Sequence, residues 1–198
     1  AWELIGYYYQ YKDLQVTVGG PGILVENLGN VDGWGAESTL NLLLNDYLEL
    51  FLTAAWADTK ATDVQIACGS VADPSEACEG NSLPELPAFS YSAVLQGRLP
   101  AKTGDWIGRA ELFGQTEVGG GLVGDPAGKQ DGYADLALRA GFRAHAGWEV
   151  IAYVENLTNE LYYDLTVADS GILPAHHFGP SRPRTLGVRV GWEFQAGR

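Results

Sequence analysis

The chain has 198 residues, enough for one domain, with 12 Lys+Arg against 25 Asp+Glu and a formal net charge of −13. That balance argues against nucleic acid and against a polybasic membrane-surface binder, both of which need clustered cations. The longest apolar region, 40–57, is broken by Asn41, Asn45, Asp46 and Glu49, so no apolar run is long enough for a transmembrane helix.

Alternation of apolar and polar residues predicts eight strands, at about 2–17, 31–44, 47–57, 88–99, 105–116, 132–143, 147–157 and 183–194. The first two are the least cleanly phased. In the third, Leu48, Leu50, Leu52, Ala54 and Trp56 share one phase. The fourth aligns Phe89, Tyr91, Ala93, Leu95, Gly97 and Leu99, and the fifth Trp106, Gly108, Ala110 and Leu112. The sixth gives Ala134, Leu136, Leu138, Ala140 and Phe142, and the seventh Trp148, Val150, Ala152 and Val154. The last is the clearest: Leu186, Val188, Val190, Trp192 and Phe194 point one way, and Thr185, Gly187, Arg189, Gly191 and Glu193 the other. Every charge in these strands takes the opposite phase, including Glu49, Arg98, Arg109, Glu111, Asp135, Arg139, Arg143, Glu149, Glu155 and Arg189. A cation on a lipid-facing position at mid-depth costs about 2–4 kcal/mol, so such sorting points to strands that span a bilayer.

The connections alternate in length. Long segments are expected at 18–30, 58–87, 117–131 and 158–182, and short turns at Asn45-Asp46, Pro100–Gly104 and Ala144–Ala146. Outer-membrane barrels pair long extracellular loops with short periplasmic turns. Trp34, Tyr47, Trp56, Trp106, Tyr133, Trp148, Tyr162 and Trp192 fall near strand ends, as aromatic girdles require. The expected fold is therefore all-β, an antiparallel transmembrane β-barrel of which about eight strands are seen. The chain opens inside a strand without initiator Met or signal peptide, which reads as a mature protein or a fragment.

Cys68 and Cys78 lie in an acidic, Gly/Pro/Ser-rich stretch. In an oxidising compartment they are expected to close a small disulfide loop, worth about 3 kcal/mol on the chain-entropy model. The alternative is two free thiols, and no second Cys pair or neighbouring His completes a zinc site. Other candidates sit in the last long loop. His176 and His177, with Phe178, would face an incoming ligand and could touch a metal or a chelate; otherwise they are solvated loop residues. Arg182 and Arg184 flank Pro183, where their guanidinium groups could grip an anionic substrate or a lipopolysaccharide phosphate, or pair with Glu155 or Glu160. The acidic loop 58–85 could hold a divalent cation through carboxylate oxygens, but it lacks EF-hand spacing and reads more readily as a solvated loop. No catalytic set, resident metal or cofactor is expected, since no G-x-S-x-G, P-loop or H-E-x-x-H is present.

Five pieces carry a family resemblance: YYYQYKDLQV (7–16), ENLGNVDGWGAESTL (26–40), NSLPELPAFSYS (81–92), VENLTNELYY (154–163) and GPSRPRTLGVRVGWEF (179–194). In this order they resemble the barrel of TonB-dependent outer-membrane receptors. The resemblance implies the C-terminal portion of a barrel of about 22 strands, its plug and energy-coupling segment lying N-terminal. It further implies active uptake of a scarce nutrient such as a ferric siderophore, driven through the TonB system. The implied partners are outer-membrane lipid and lipopolysaccharide, the plug, the remaining strands and the ligand. The rival readings are a complete eight-stranded outer-membrane protein, a lipid-modifying one included, and a soluble lipocalin-like barrel.

Overall fold

Period-two alternation becomes strand pairing throughout. The computed structural model describes residues 1–18, 24–65, 79–120, 125–167 and 176–193. Its strands are β1 (Trp2–Val18), β2 (Leu24–Asn45), β3 (Leu48–Thr62), β4 (Phe89–Ala101), β5 (Gly104–Gln115), β6 (Val118–Gly120), β7 (Asp125–Gln130), β8 (Tyr133–Ala144), β9 (Trp148–Glu155), β10 (Tyr163–Val167), β11 (His176–Pro180) and β12 (Thr185–Trp192). The eight predicted strands form one antiparallel sheet in the order β1-β2-β3-β4-β5-β8-β9-β12. The sheet is open, with β1 and β12 as its edges.

Two expectations need correction. The segment 18–30 is not a long loop: β1 and β2 stay paired out to Val18 opposite Leu24, past a register shift between Tyr11 and Leu14, and β3 runs on to Thr62. The segments 117–131 and 158–182 carry the hairpins β6–β7 and β10–β11. The physical reason is shared. Beyond a bilayer no face must be wholly apolar, so strands there lose the two-faced pattern that marks the spanning parts.

Register confirms the two faces. One row runs Leu42, Leu50, Leu95, Ala110, Leu138, Val154 and Leu186 across seven adjacent strands. The next runs Leu48, Gly97, Gly108, Ala140, Ala152 and Val188. These side chains are left uncovered: Leu186, Val188 and Val190 are 76%, 66% and 72% exposed. An exposed apolar face of this breadth is what hydrocarbon covers. Tyr47, in the turn before β3, and Trp56, on β3, stand nine residues apart near its two ends. That is about 30 Å along the strand and about 23 Å once a tilt near 40° is allowed for, close to the roughly 25 Å apolar band of outer-membrane barrels.

The short connections gather at one end. Asn45 Oδ1 accepts the Tyr47 amide at 2.8 Å, His145 N donates to Thr103 O at 2.9 Å, and Gly147, at φ +88°, closes the β8–β9 turn. At the opposite end the β1–β2–β3 extension has its own core of Leu28, Val31 and Ala61, packed against Leu14, Val16, Val64 and Leu83. Gly29, at φ +130°, lies against the Asp63 carbonyl where no Cβ would fit.

Between these ends Tyr7 lies over Gly35 and Tyr9 over Gly33, their rings occupying the space a glycine Cβ would need. Each ring shields backbone that glycine leaves bare. Gly35→Val is expected to displace Tyr7 and destabilise the β1–β2 pairing by about 1–2 kcal/mol, read as a lowered urea midpoint of the protein in detergent.

Candidate functional site

The polar face carries a chain of charges that starts on β3. Glu49 accepts a hydrogen bond from Gln96 at 2.8 Å, and Gln96 Oε1 accepts one from Arg109 at 2.7 Å. Arg109 also donates to Glu111 at 2.8 Å. Glu111 accepts from Arg139 as well, and Arg139 stands 3.6 Å from Glu155. A second cluster joins Arg143 to Glu149 at 3.1 Å and Arg189 to the same carboxylate at 3.5 Å. Arg98 pairs with Asp105 at 2.7 Å. Period two puts all these groups on one side, and antiparallel register sets opposite charges within reach across strands. They do so where water, not lipid, is their surroundings.

Toward the long-loop end the polar face changes character. Phe113 on β5 stands opposite Asp135 on β8, and Gln115 opposite Tyr133. Tyr162, from the segment after β9, stacks on Tyr133 with ring centres 4.0 Å apart and planes 3° apart. Phe113 meets both rings edge-on, at 6.3 and 6.2 Å. The Tyr162 hydroxyl donates to Asp135 Oδ2 at 3.0 Å, and Asp135 is only 7% exposed. Glu111, Asp135, Arg139, Glu155, Tyr162 and Arg182 line one concavity here, of about 620 Å³.

Asn156 holds the neck of the last loop. It is 3% exposed, with φ +48°, a backbone conformation asparagine tolerates. Its Nδ2 donates to Glu160 O at 2.7 Å and to Arg182 O at 2.8 Å, while its Oδ1 accepts the Glu160 amide at 2.7 Å. One amide side chain thus ties both ends of the loop. Asn156→Ala is expected to cost about 2 kcal/mol at this neck and to speed trypsin cleavage after Arg184, the sheet itself being unchanged.

The loop strands are tied in turn. Buried Gln130 accepts the Tyr163 amide at 2.8 Å, and Glu85 N donates to Gly119 O at 3.2 Å. Glu117 and Lys129 pair at 2.7 Å across the β6–β7 hairpin. Donating a hydrogen bond to the Glu117 carboxylate holds the Lys129 ammonium above its ordinary pKa. The raised value means the pair's small contribution is whole below the usual lysine range and is lost as pH climbs through the elevated pKa.

His176, His177 and Phe178 lie in β11, their backbone opposite Val167, Thr166 and Leu165 in a hairpin rather than an open loop. Nothing is described of their side chains. Arg182 and Arg184 are exposed and held by backbone: Arg182 O accepts from Asn156, and Arg184 N donates to Asn159 Oδ1 at 2.9 Å. Neither pairs with Glu155 or Glu160; the cation nearest Glu155 is Arg139. Cys68 and Cys78 lie outside the described residues. Among the described residues no group of three metal-ligating side chains forms in the acidic loop; Asp63 accepts from Asn30 at 2.8 Å and Glu79 from Val64 N at 3.0 Å.

Tyr133 and Tyr162 are not girdle residues. They face the polar side beside Asp135, a role the expectation of lipid-facing rings missed. The signal was in the phase: Tyr133 alternates with Asp135 and Arg139, not with Leu136 and Leu138.

Comparison with known proteins fits this geometry. No curated protein matches the sequence. Among solved structures, the ferric yersiniabactin uptake receptor FyuA from Yersinia pestis superposes with a TM-score of 0.77 at 18% identity, covering 98% of this chain and 27% of that one. The siderophore receptor PiuA from Acinetobacter baumannii gives 0.71 at 16% identity, covering 96% and 26%. BauA, the ferric preacinetobactin receptor of Acinetobacter baumannii, gives 0.69 at 12%, covering 98% and 27%. The chain therefore spans about a quarter of the length of these structures, and at such identities they establish the fold alone. The family model "TonB dependent receptor-like, beta-barrel" matches residues 1–157. With its apolar outer face, charged inner face and long loops at one end, the chain belongs to the TonB-dependent receptor-like β-barrel family.

Proposed function

We propose that the chain is the C-terminal portion of an outer-membrane receptor that imports a scarce nutrient, such as a ferric siderophore, with energy supplied by the TonB system. The observation that carries the reading is the open sheet of eight strands: crossed on one face by rows of apolar side chains, ionic on the other, and unpaired at β1 and β12. Open edges are not tolerated in lipid, so further strands must join both. A closed eight-stranded barrel would pair β1 with β12, and a soluble barrel would turn its apolar face inward. The face bearing Glu49, Arg109, Glu111 and Arg139 then looks onto an N-terminal plug, and the apolar face onto outer-membrane lipid. In this reading His176, His177 and Phe178, on the β10–β11 hairpin, serve as ligand contacts among the extracellular loops, with Arg182 and Arg184 at their base; the two arginines also suit a lipopolysaccharide phosphate. Cys68 and Cys78 close a disulfide in the longest of these loops.

The test is uptake in cells carrying the intact gene. Under iron limitation, radio-iron presented as a siderophore chelate should accumulate in a manner abolished by a protonophore and by deletion of TonB. Accumulation independent of both would overturn the reading, as would recovery of the protein outside the outer membrane.

A further inference from the structure

Five lumen-side arginines are already matched: Arg98 by Asp105, Arg109 by Glu111, Arg139 by Glu111 and Glu155, and Arg143 and Arg189 by Glu149. Asp135 is the exception among the acids of this face near the long-loop end. It is nine-tenths buried and lines the concavity, yet no cation lies against it among the described residues. Among the described residues a single hydroxyl, that of Tyr162, donates to Oδ2. A buried carboxylate gains most from a cationic partner, and leaving it without one is costly. The concavity also holds Arg139 and Arg182, but Arg139 is engaged by Glu111 and Glu155, and the groups packed on Asp135 itself are aromatic. Tyr133 and Tyr162 are stacked aromatic rings with electron-rich faces, and Phe113 closes their edge. The long-loop end has the same sign: among the described residues, 63–65, 79–88, 116–120, 125–132, 156–167 and 176–184 together hold eight Asp and Glu against three Lys and Arg. A vestibule lined by one sign of charge concentrates ligands of the other.

We infer that Asp135, with Tyr133, Tyr162 and Phe113, forms a subsite for a primary ammonium group, so that the imported ligand is a chelate bearing a free amine rather than a polyanion. This deepens the transport reading and rests on it for the word imported. The ammonium donates to Asp135 and packs its methylenes against the tyrosine rings. Arg182, on the same concavity, is left to meet an acidic group of the same ligand.

The probe is n-butylammonium, with butyrate as the matched anion, titrated calorimetrically into the intact receptor in detergent. Wild type should bind the amine at least tenfold more tightly than the acid. Asp135→Asn, which keeps an acceptor for Tyr162, should erase that preference, and Tyr162→Phe should weaken it several-fold. Equal binding of the two probes to wild type, or no binding of the amine, overturns the subsite without any need of a variant. A preference that survives in folded Asp135→Asn does so too. Amine selectivity in a receptor that shows no energy-dependent uptake would uphold the subsite and sink the transport reading, so the two failures are separable.

Discussion

Arginine in place of Leu138 is expected to destabilise the folded protein by about 2–4 kcal/mol, whereas arginine in place of Ala137, one residue earlier, is expected to cost less than 1 kcal/mol. Leu138 sits mid-row on the apolar face, between Ala110 on β5 and Val154 on β9. A guanidinium there must be desolvated in hydrocarbon or must snorkel across half the apolar band. Ala137 lies on the other face, directly opposite Glu111. A cation at that position meets water and a carboxylate. The measurement is the urea midpoint of the intact protein refolded into vesicles, with the heat-modifiable gel mobility of a folded barrel as a second readout. A reversed order of the two variants would mean that the apolar face is the protein's interior, and no reading that puts the ionic face in the lumen could stand.

The contrast also shows why the sheet was legible in the sequence and the site was not. Hydrocarbon tolerates no charge, so Leu186, Val188, Val190 and Trp192 announce their face by what is absent from it. The polar face is under no such rule. Asp135 and Glu111 occupy the same phase and look alike as text, yet one is fixed by two arginines and the other has a tyrosine hydroxyl. What separates them is the path of the segment after β9, which brings Tyr162 back over β8. Nothing periodic encodes that path. Asn156 could be read only as part of the VENLTNELYY piece, without its role, because its three hydrogen bonds reach Glu160 and, across 26 positions, Arg182. The loop hairpins escaped notice for the reason given by Val25, Glu26 and Asn27: strands paired in water need no consistent face.

Glu111→Ala should be the most damaging change on the polar face, at about 2 kcal/mol. Arg109 and Arg139 are directly opposite each other in the β5–β8 register, an arrangement that is unfavourable for like charges. Glu111 lies between them and accepts from both, so the two cations are tolerable only while it is present. Its removal deletes two charge-assisted hydrogen bonds and exposes the repulsion they mask. The arginine side chains are 40% exposed, so water screens part of this, and the figure stays below the 3–5 kcal/mol of a fully buried pair. Gln96 and Glu155 hold the outer ends of the chain and limit how far either arginine can retreat. Two signatures separate this account from a simple packing loss. Raising ionic strength toward 1 M, where the Debye length falls to about 3 Å, should shrink the deficit of Glu111→Ala relative to wild type. Adding Arg139→Gln should recover about half of the deficit, because it removes one of the opposed charges. If the double variant is no more stable than Glu111→Ala, and salt leaves the difference untouched, then Glu111 is not what reconciles the two facing arginines.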